Sequence, residues 1–125
     1  METILEEDDF ILSATDINGN IVTINADFLR ISGFSREELI GKPHNVIRHK
    51  DMPSSVFKDL WSTIKSGKDW SGFLKNKTKS GGFYWVYATM FPIDTCDGGK
   101  GYLSCRKKAL PDEIAEAEKL YKSMQ

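Results

Sequence analysis

A change of hydrophobic period at Gly67 constrains this chain more than any other feature. Before it, Val56, Phe57, Leu60, Trp61 and Ile64 recur at helical spacing behind Pro53, which suits a first helical turn. After it the period is two. Trp70, Gly72, Leu74 and Asn76 share one face of a strand, and Ser71, Phe73, Lys75 and Lys77 share the other. Ser80-Gly81-Gly82 turns the chain, residues 83–92 form a long aromatic strand, Asp97-Gly98-Gly99 turns again, and residues 101–107 end a three-stranded meander. Such a sheet must bury one face, so the first half of the chain has to supply the cover.

That half reads as a hairpin followed by short helices. Residues 10–15 and 20–24 flank Asn18-Gly19, which predicts a tight turn with positive φ at both positions. Asn25 stands as an N-cap before Phe28, Leu29 and Ile31, with Gly33 as the stop. Ser35-Arg36-Glu37-Glu38 is a capping box for a second short helix ending at Gly41. The fold class is therefore α+β: a single five-stranded antiparallel sheet with short helices over one face. A last helix over residues 111–125 continues a narrow stripe that begins at Leu110 just ahead of it and runs through Ile114, Ala117, Tyr121 and Met124. The stripe suits packing on the domain's own sheet, docking to a partner, or both.

The chain's 125 residues suffice for one core and not two. A formal net charge of -1 provides no field to draw in nucleic acid. No apolar run approaches the ~20 residues of a membrane span, and the acidic start is unlike a signal peptide. The expectation is a cytoplasmic domain without direct membrane insertion, any membrane association coming through a partner. Cys96 and Cys105 match neither a redox pair nor a zinc site, and two free thiols are expected. No glycine-rich phosphate loop, GxSxG or HExxH is present, so an enzyme is not expected.

Residues 43–53 concentrate His44, Arg48, His49 and Asp51 between prolines, as the rim of a ligand pocket would. Arg48 suits a phosphate or carboxylate, with a surface ion pair to Asp51 as the plainer role. His44 and His49 serve equally well as packing or capping groups, and Asp51 as a helix cap. If Trp70 and Asn76 face the helices, Gly72 leaves a gap where a flat ligand would stack on Trp70 and pair with the Asn76 amide. Otherwise Trp70 is plain core and Asn76 points outward.

The order of elements, the Phe34-Ser35-Arg36-Glu37-Glu38-Leu39-Ile40-Gly41 run and the Gly81/Trp85 meander resemble a PAS domain. More specifically, the run from Gly41 to Pro53, with Phe57 to Trp61, Trp70-Ser71-Gly72, Lys75-Asn76-Lys77, Tyr84-Trp85-Val86, Asp112-Glu113-Ile114 and Leu120-Tyr121-Lys122, is similar to the aerotaxis-receptor (Aer) type of FAD-binding PAS domain. The resemblance implies a PAS sensor domain over residues 1–110 and an output or docking helix over 111–125. It implies non-covalent FAD whose redox state is reported, held by Asn25, His44, Arg48, His49, Asp51, Trp70 and Asn76. It also implies a chemotaxis transducer or signalling domain as partner, a HAMP unit or helical bundle in cis or in trans, with a homodimer as a further state. The cysteine of the photoreceptor branch is missing before Pro53. Aerotaxis receptors continue into a membrane segment and a signalling bundle, so the expectation is either an excised domain or a stand-alone sensor that docks through the Leu110 to Met124 stripe. Rival expectations are haem held by His44 or His49, and a cofactor-free interaction module dimerising through residues 83–91.

Overall fold

Strand β1 (Phe10–Asp16) turns back into β2 (Ile21–Ile24) through Gly19, whose φ is 86°. The structure, a computed structural model, describes residues 1–95 and 98–124. The thiol expected at Cys96, the Asp97 that opens the expected second turn, and Gln125 lie outside them. Among the described residues no non-glycine has positive φ, so Asn18 does not adopt the expected left-handed conformation. The reason is Asp16. Its Oδ1 accepts the backbone N–H groups of Asn18 and Asn20, both at 2.9 Å, and closes a longer loop than the two-residue turn.

Helix α1 (Ala26–Ser32) is capped by Asn25 and stopped by Gly33 in the left-handed region at φ 78°. Helix α2 (Arg36–Leu39) begins with the capping box that the sequence spells: Ser35 Oγ accepts from Glu38 N, and Glu38 Oε1 accepts from Ser35 N. A 3-10 turn at His44–Ile47 follows, then α3 (Ser54–Lys65). Strands β3 (Trp70–Lys77), β4 (Phe83–Asp94) and β5 (Lys100–Lys108) form the meander. Sheet order is β2-β1-β5-β4-β3, with every neighbouring pair antiparallel.

The inner face of the sheet packs on α1 and α3, burying Ile11, Phe28, Leu60, Ile64, Val86 and Met90. Ala88 and Gly72 lie level with Arg106 across β4 and β3. On the outer face Phe73, Phe83 and Trp85 pack against α4 (Pro111–Ser123) through Ile114, Ala117 and Tyr121. The Tyr121 hydroxyl donates to the Phe73 carbonyl at 2.7 Å, and its ring stacks on Trp85 at 6.3 Å between centroids. The stripe therefore covers the domain's own sheet through its middle members, while Leu110 and Met124 stay exposed.

One segment touches both rims of this sheet. Ile21 N donates to Lys42 O and Gly41 N donates to Ile21 O at the β2 rim, and Arg48 bridges Asn76 at the β3 rim. Residues 41–48 thus run across the helical face from one edge strand to the other.

Candidate functional site

Between α3, residues 43–48 and the inner face of β3 and β4 lies a cleft of about 350 Å³. That is within the ~300–1,000 Å³ usual for small-molecule sites. Leu74, Asn76 and Met90 form the floor, Phe57, Leu60, Trp61 and Lys65 one wall, and His44, Asn45, Ile47 and Arg48 the other, with Ile17, Asn18 and Gly19 at the mouth. Gly19 sits against Trp61, since a Cβ there would lie 3.0 Å from Trp61 Cη2.

His44 enters the cleft from the 3-10 turn that Pro43 opens at φ -63°. Its Nε2 is 3.1 Å from Ser13 Oγ, and Arg106 Nη2 donates to the same oxygen at 2.6 Å. Arginine can only donate, so Ser13 accepts from Arg106, and either its proton or its second lone pair meets His44 Nε2 according to the imidazole tautomer. The imidazole is neutral near pH 7. Burial, reinforced by the Arg106 charge, pushes its pKa down to about 3.

Arg48 lies with its guanidinium carbon 3.7 Å from the Phe57 ring centroid, and its Nε is buried without a partner. Burial lowers its pKa. Asn76, 2% exposed, shares the cleft with it, and Asn76 Nδ2 makes no well-formed hydrogen bond. Directly across the β3–β4 pair stands Tyr84, fully buried, whose hydroxyl also makes no well-formed hydrogen bond and has the Asn76 side chain as its polar neighbour. Burial raises the Tyr84 pKa. Buried polar groups left without partners are rare in folded proteins and call for an explanation.

The structure brings His44, Arg48 and Asn76 together and places the other four candidates elsewhere. Trp70 does face inward, but the gap expected over Gly72 is filled by its own indole: a Cβ at Gly72 would lie 2.5 Å from Trp70 Cη2. Trp70 Nε1 donates to Asp59 Oδ2 at 3.0 Å, and the residue does not line the cleft. The aromatic faces in the cleft belong to Trp61 and Phe57. His49 turns to Phe83, edge-on at 5.9 Å, and its Nδ1 accepts from Asp51 N at 3.0 Å. Burial and then Lys75 lower its pKa against the pull of Asp51. The Asp51 carboxylate pairs with Lys75 Nζ at 2.9 Å, and that hydrogen bond lowers its pKa. Asp51 lines a second, smaller hollow with Met52, Lys75, Trp85 and Tyr121, against α4. Asn25 is committed to backbone: its Oδ1 accepts from Phe28 N and Leu12 N, each at 3.1 Å, and its Nδ2 donates to Phe10 O at 2.7 Å.

Sequence reasoning missed Ser13, Tyr84 and Arg106. The signal was available in β5, where Tyr102, Ser104 and Arg106 alternate with outward residues and so share the inner face. Cys105, on the opposite phase, is a free thiol whose pKa burial raises.

Comparison with known proteins yields four matches. The family model described as PAS fold matches residues 21–105. The aerotaxis receptor of Escherichia coli (strain K12) is 43% identical over 122 residues, covering 98% of this chain and 24% of the receptor. A nitrogen fixation regulatory protein of Klebsiella oxytoca is 28% identical over 91 residues, covering 73% of this chain and 18% of that protein. The chain thus spans a quarter or less of the curated relatives it matches. Among solved structures, the light state of the blue-light photoreceptor Aureochrome1 LOV superposes with a TM-score of 0.74 at 20% identity, covering 90% of this chain and 88% of that one. At that identity the likeness shows the fold alone.

Proposed function

The chain belongs to the PAS fold family, and from that premise we propose that it is a redox sensor domain which binds FAD non-covalently in the cleft and relays the flavin state to a chemotaxis transducer. The relationship to the aerotaxis receptor supports the signalling context. The observation that carries the ligand reading is the buried Asn76 side chain on the cleft floor, whose Nδ2 makes no well-formed hydrogen bond and has the Tyr84 hydroxyl as its polar neighbour.

The residues present fit the group. A flavin ring offers two π faces and an edge of alternating acceptors and donors. Trp61 and Phe57 supply faces, and Asn76 Nδ2 supplies an edge donor, with the neutral His44 beside it. Arg48 and Lys65 are cleft cations suited to a diphosphate. When bound, the cofactor supplies a centre whose charge and protonation change on reduction. Asn76 can answer such a change by rotating its amide, exchanging a donor for an acceptor.

FAD is favoured over haem by the histidines. The Nε2 of His44 is engaged by Ser13, and His49 lies outside the cleft with Nδ1 accepting from backbone.

The relay in this reading runs through β3. Asn76 neighbours Lys75, which holds Asp51, and three residues back the Phe73 carbonyl holds Tyr121 of the output helix α4. A ligand state biases output only by binding two conformations unequally. The partner is a HAMP unit or helical bundle, in cis or in trans, meeting α4 and the outer sheet face.

The absorption spectrum of protein purified without added cofactor, then titrated with FAD, tests the ligand. Two flavin bands are expected. A Soret band, or protein that stays colourless at saturating FAD, overturns the reading. Amide exchange over residues 70–78 and α4 tests the relay: identical exchange in both redox states defeats it.

A further inference from the structure

Arg106 is 1% exposed, in the middle of the inner sheet face. One nitrogen, Nη2, donates to Ser13, and the guanidinium carbon lies 4.7 Å from the Phe28 ring centroid. Nε and Nη1 are buried with no partner. Among the described residues no carboxylate forms an ion pair with it. The remaining polar groups on its side are hydroxyls and an imidazole: Ser104, Thr15 and Tyr84 on the sheet, and His44 through Ser13. A buried charge without a counter-ion is costly, and natural proteins retain one where an anion or a strong acceptor completes it.

The place of Arg106 indicates which group completes it. Its strand neighbour in register is Ala88, and Ala88 lies between Met90 on the cleft floor and Val86. Arg106 is not among the residues that line the cleft, and its strand β5 pairs directly with β4, which carries the floor residue Met90. Ser13 and His44 connect it to the cleft wall.

We propose that Arg106 is the counter-ion for the negative charge that the bound ring system acquires on reduction, so that this buried cation sets the sensor's redox poise. The inference rests on the flavin reading above and assigns the regulation of the same site. Oxidised flavin is neutral at its ring. Reduction adds two electrons and one proton, leaving one net negative charge delocalised over the pyrimidine edge. Arg106 holds the reduced ring more tightly than the oxidised ring, whereas a neutral donor such as Asn76 distinguishes the two far less. By its charge, the same cation also disfavours protonation of the His44 imidazole, to which Ser13 connects it. His44 and Tyr84 are the titratable groups on its face of the sheet, while Cys105, next to it in sequence, projects from the other face.

The test uses the full chain with and without FAD, as wild type, Arg106→Lys and Arg106→Gln. Dithionite supplies the two electrons and water the proton. The measured quantities are the midpoint potential and the affinities of oxidised and reduced flavin. In Arg106→Gln the preference for the reduced over the oxidised form is expected to fall at least tenfold, which is a potential lower by about 30 mV for a two-electron couple. Arg106→Lys is expected to retain most of the wild-type potential. The unfolding midpoint of the chain without flavin is expected to hold or rise in Arg106→Gln, because an unpaired buried charge has gone. An unchanged potential in Arg106→Gln overturns the proposal and leaves flavin binding standing. A fall in cofactor-free stability with equal loss of affinity for both redox forms also overturns it, since that marks a structural brace for Ser13 and His44. Wild-type chain that takes up no flavin overturns the cofactor reading and this assignment together.

Discussion

A methyl group on Gly72 separates two ideas of what β3 is built around. A Cβ there would lie 2.5 Å from Trp70 Cη2 and 2.7 Å from Cζ2, against an optimum of ~3.5–4.0 Å for carbon pairs. The indole cannot slide aside freely, because its Nε1 is bound to Asp59 at 3.0 Å. Overpacking of this kind costs ~1–3 kcal/mol, and pulling the indole off Asp59 adds ~1 kcal/mol. Stiffening of the unfolded chain offsets ~0.4–1 kcal/mol, since Gly72 has an ordinary strand φ that alanine adopts. Gly72→Ala should therefore lose about 2 kcal/mol, or roughly 8 °C in Tm for a domain of this size. The assay is urea unfolding of the cofactor-free chain, completed as a cycle with Trp70→Leu. In that background the methyl group has room and should cost under ~0.5 kcal/mol, leaving a coupling well above the additivity error. An equal cost in both backgrounds would refute the packing account. So would neutral Gly72→Ala stability with loss only of cofactor affinity, the outcome that a vacancy kept for a ligand requires.

The pKa of His44 in the fold, about 3, is below its unfolded value. The unfolded chain therefore binds the proton first, and stability is lost as pH falls from ~6.5 toward 3, by at most ~1.4 kcal/mol for each unit crossed; urea midpoints against pH should flatten in that window for His44→Gln, and an unchanged slope would contradict the buried neutral imidazole. Tyr121→Phe keeps the stack on Trp85 but removes the hydroxyl that donates to Phe73, so about 1 kcal/mol should be lost, and amide exchange should quicken in α4 before β1; uniform exchange would show that the bond does not hold the helix. Asn76→Leu should leave the stability of the cofactor-free chain within about 1 kcal/mol, because the amide makes no well-formed hydrogen bond and only the Tyr84 hydroxyl neighbours it, while flavin affinity falls at least tenfold; wild-type affinity would exclude Asn76 from the site. Asp51→Asn breaks an ion pair whose carboxylate is 56% exposed, so salt should erase a loss of under ~1 kcal/mol.

Much of the architecture was legible because it is written in short-range chemistry. The Ser35–Glu38 capping box, the Asn25 cap with Gly33, and the period-two phase of Trp70, Leu74 and Asn76 each specify a local geometry that the core then uses. The candidate site was legible only in part. Asn25, His49 and Asp51 are polar residues near a cleft, and proximity in sequence cannot tell a ligand group from one already committed to Phe10 O, Asp51 N or Lys75. Gly72 was misread for a related reason: a glycine announces close approach, not what approaches. Arg106 escaped notice because a cation in a strand ordinarily faces water. Only the pairing of β5 between β1 and β4 turns it inward.

The crossing of residues 41–48 from the β2 rim to the β3 rim bears on how such a domain multiplies. A sheet with bare margins can recruit another by strand addition, which is the usual path to runaway polymers. Here the belt that walls the cleft also interrupts both margins, so a second molecule is steered toward side-chain contacts on the outer face. A change that freed residues 41–48 from either rim would unmask a templating edge.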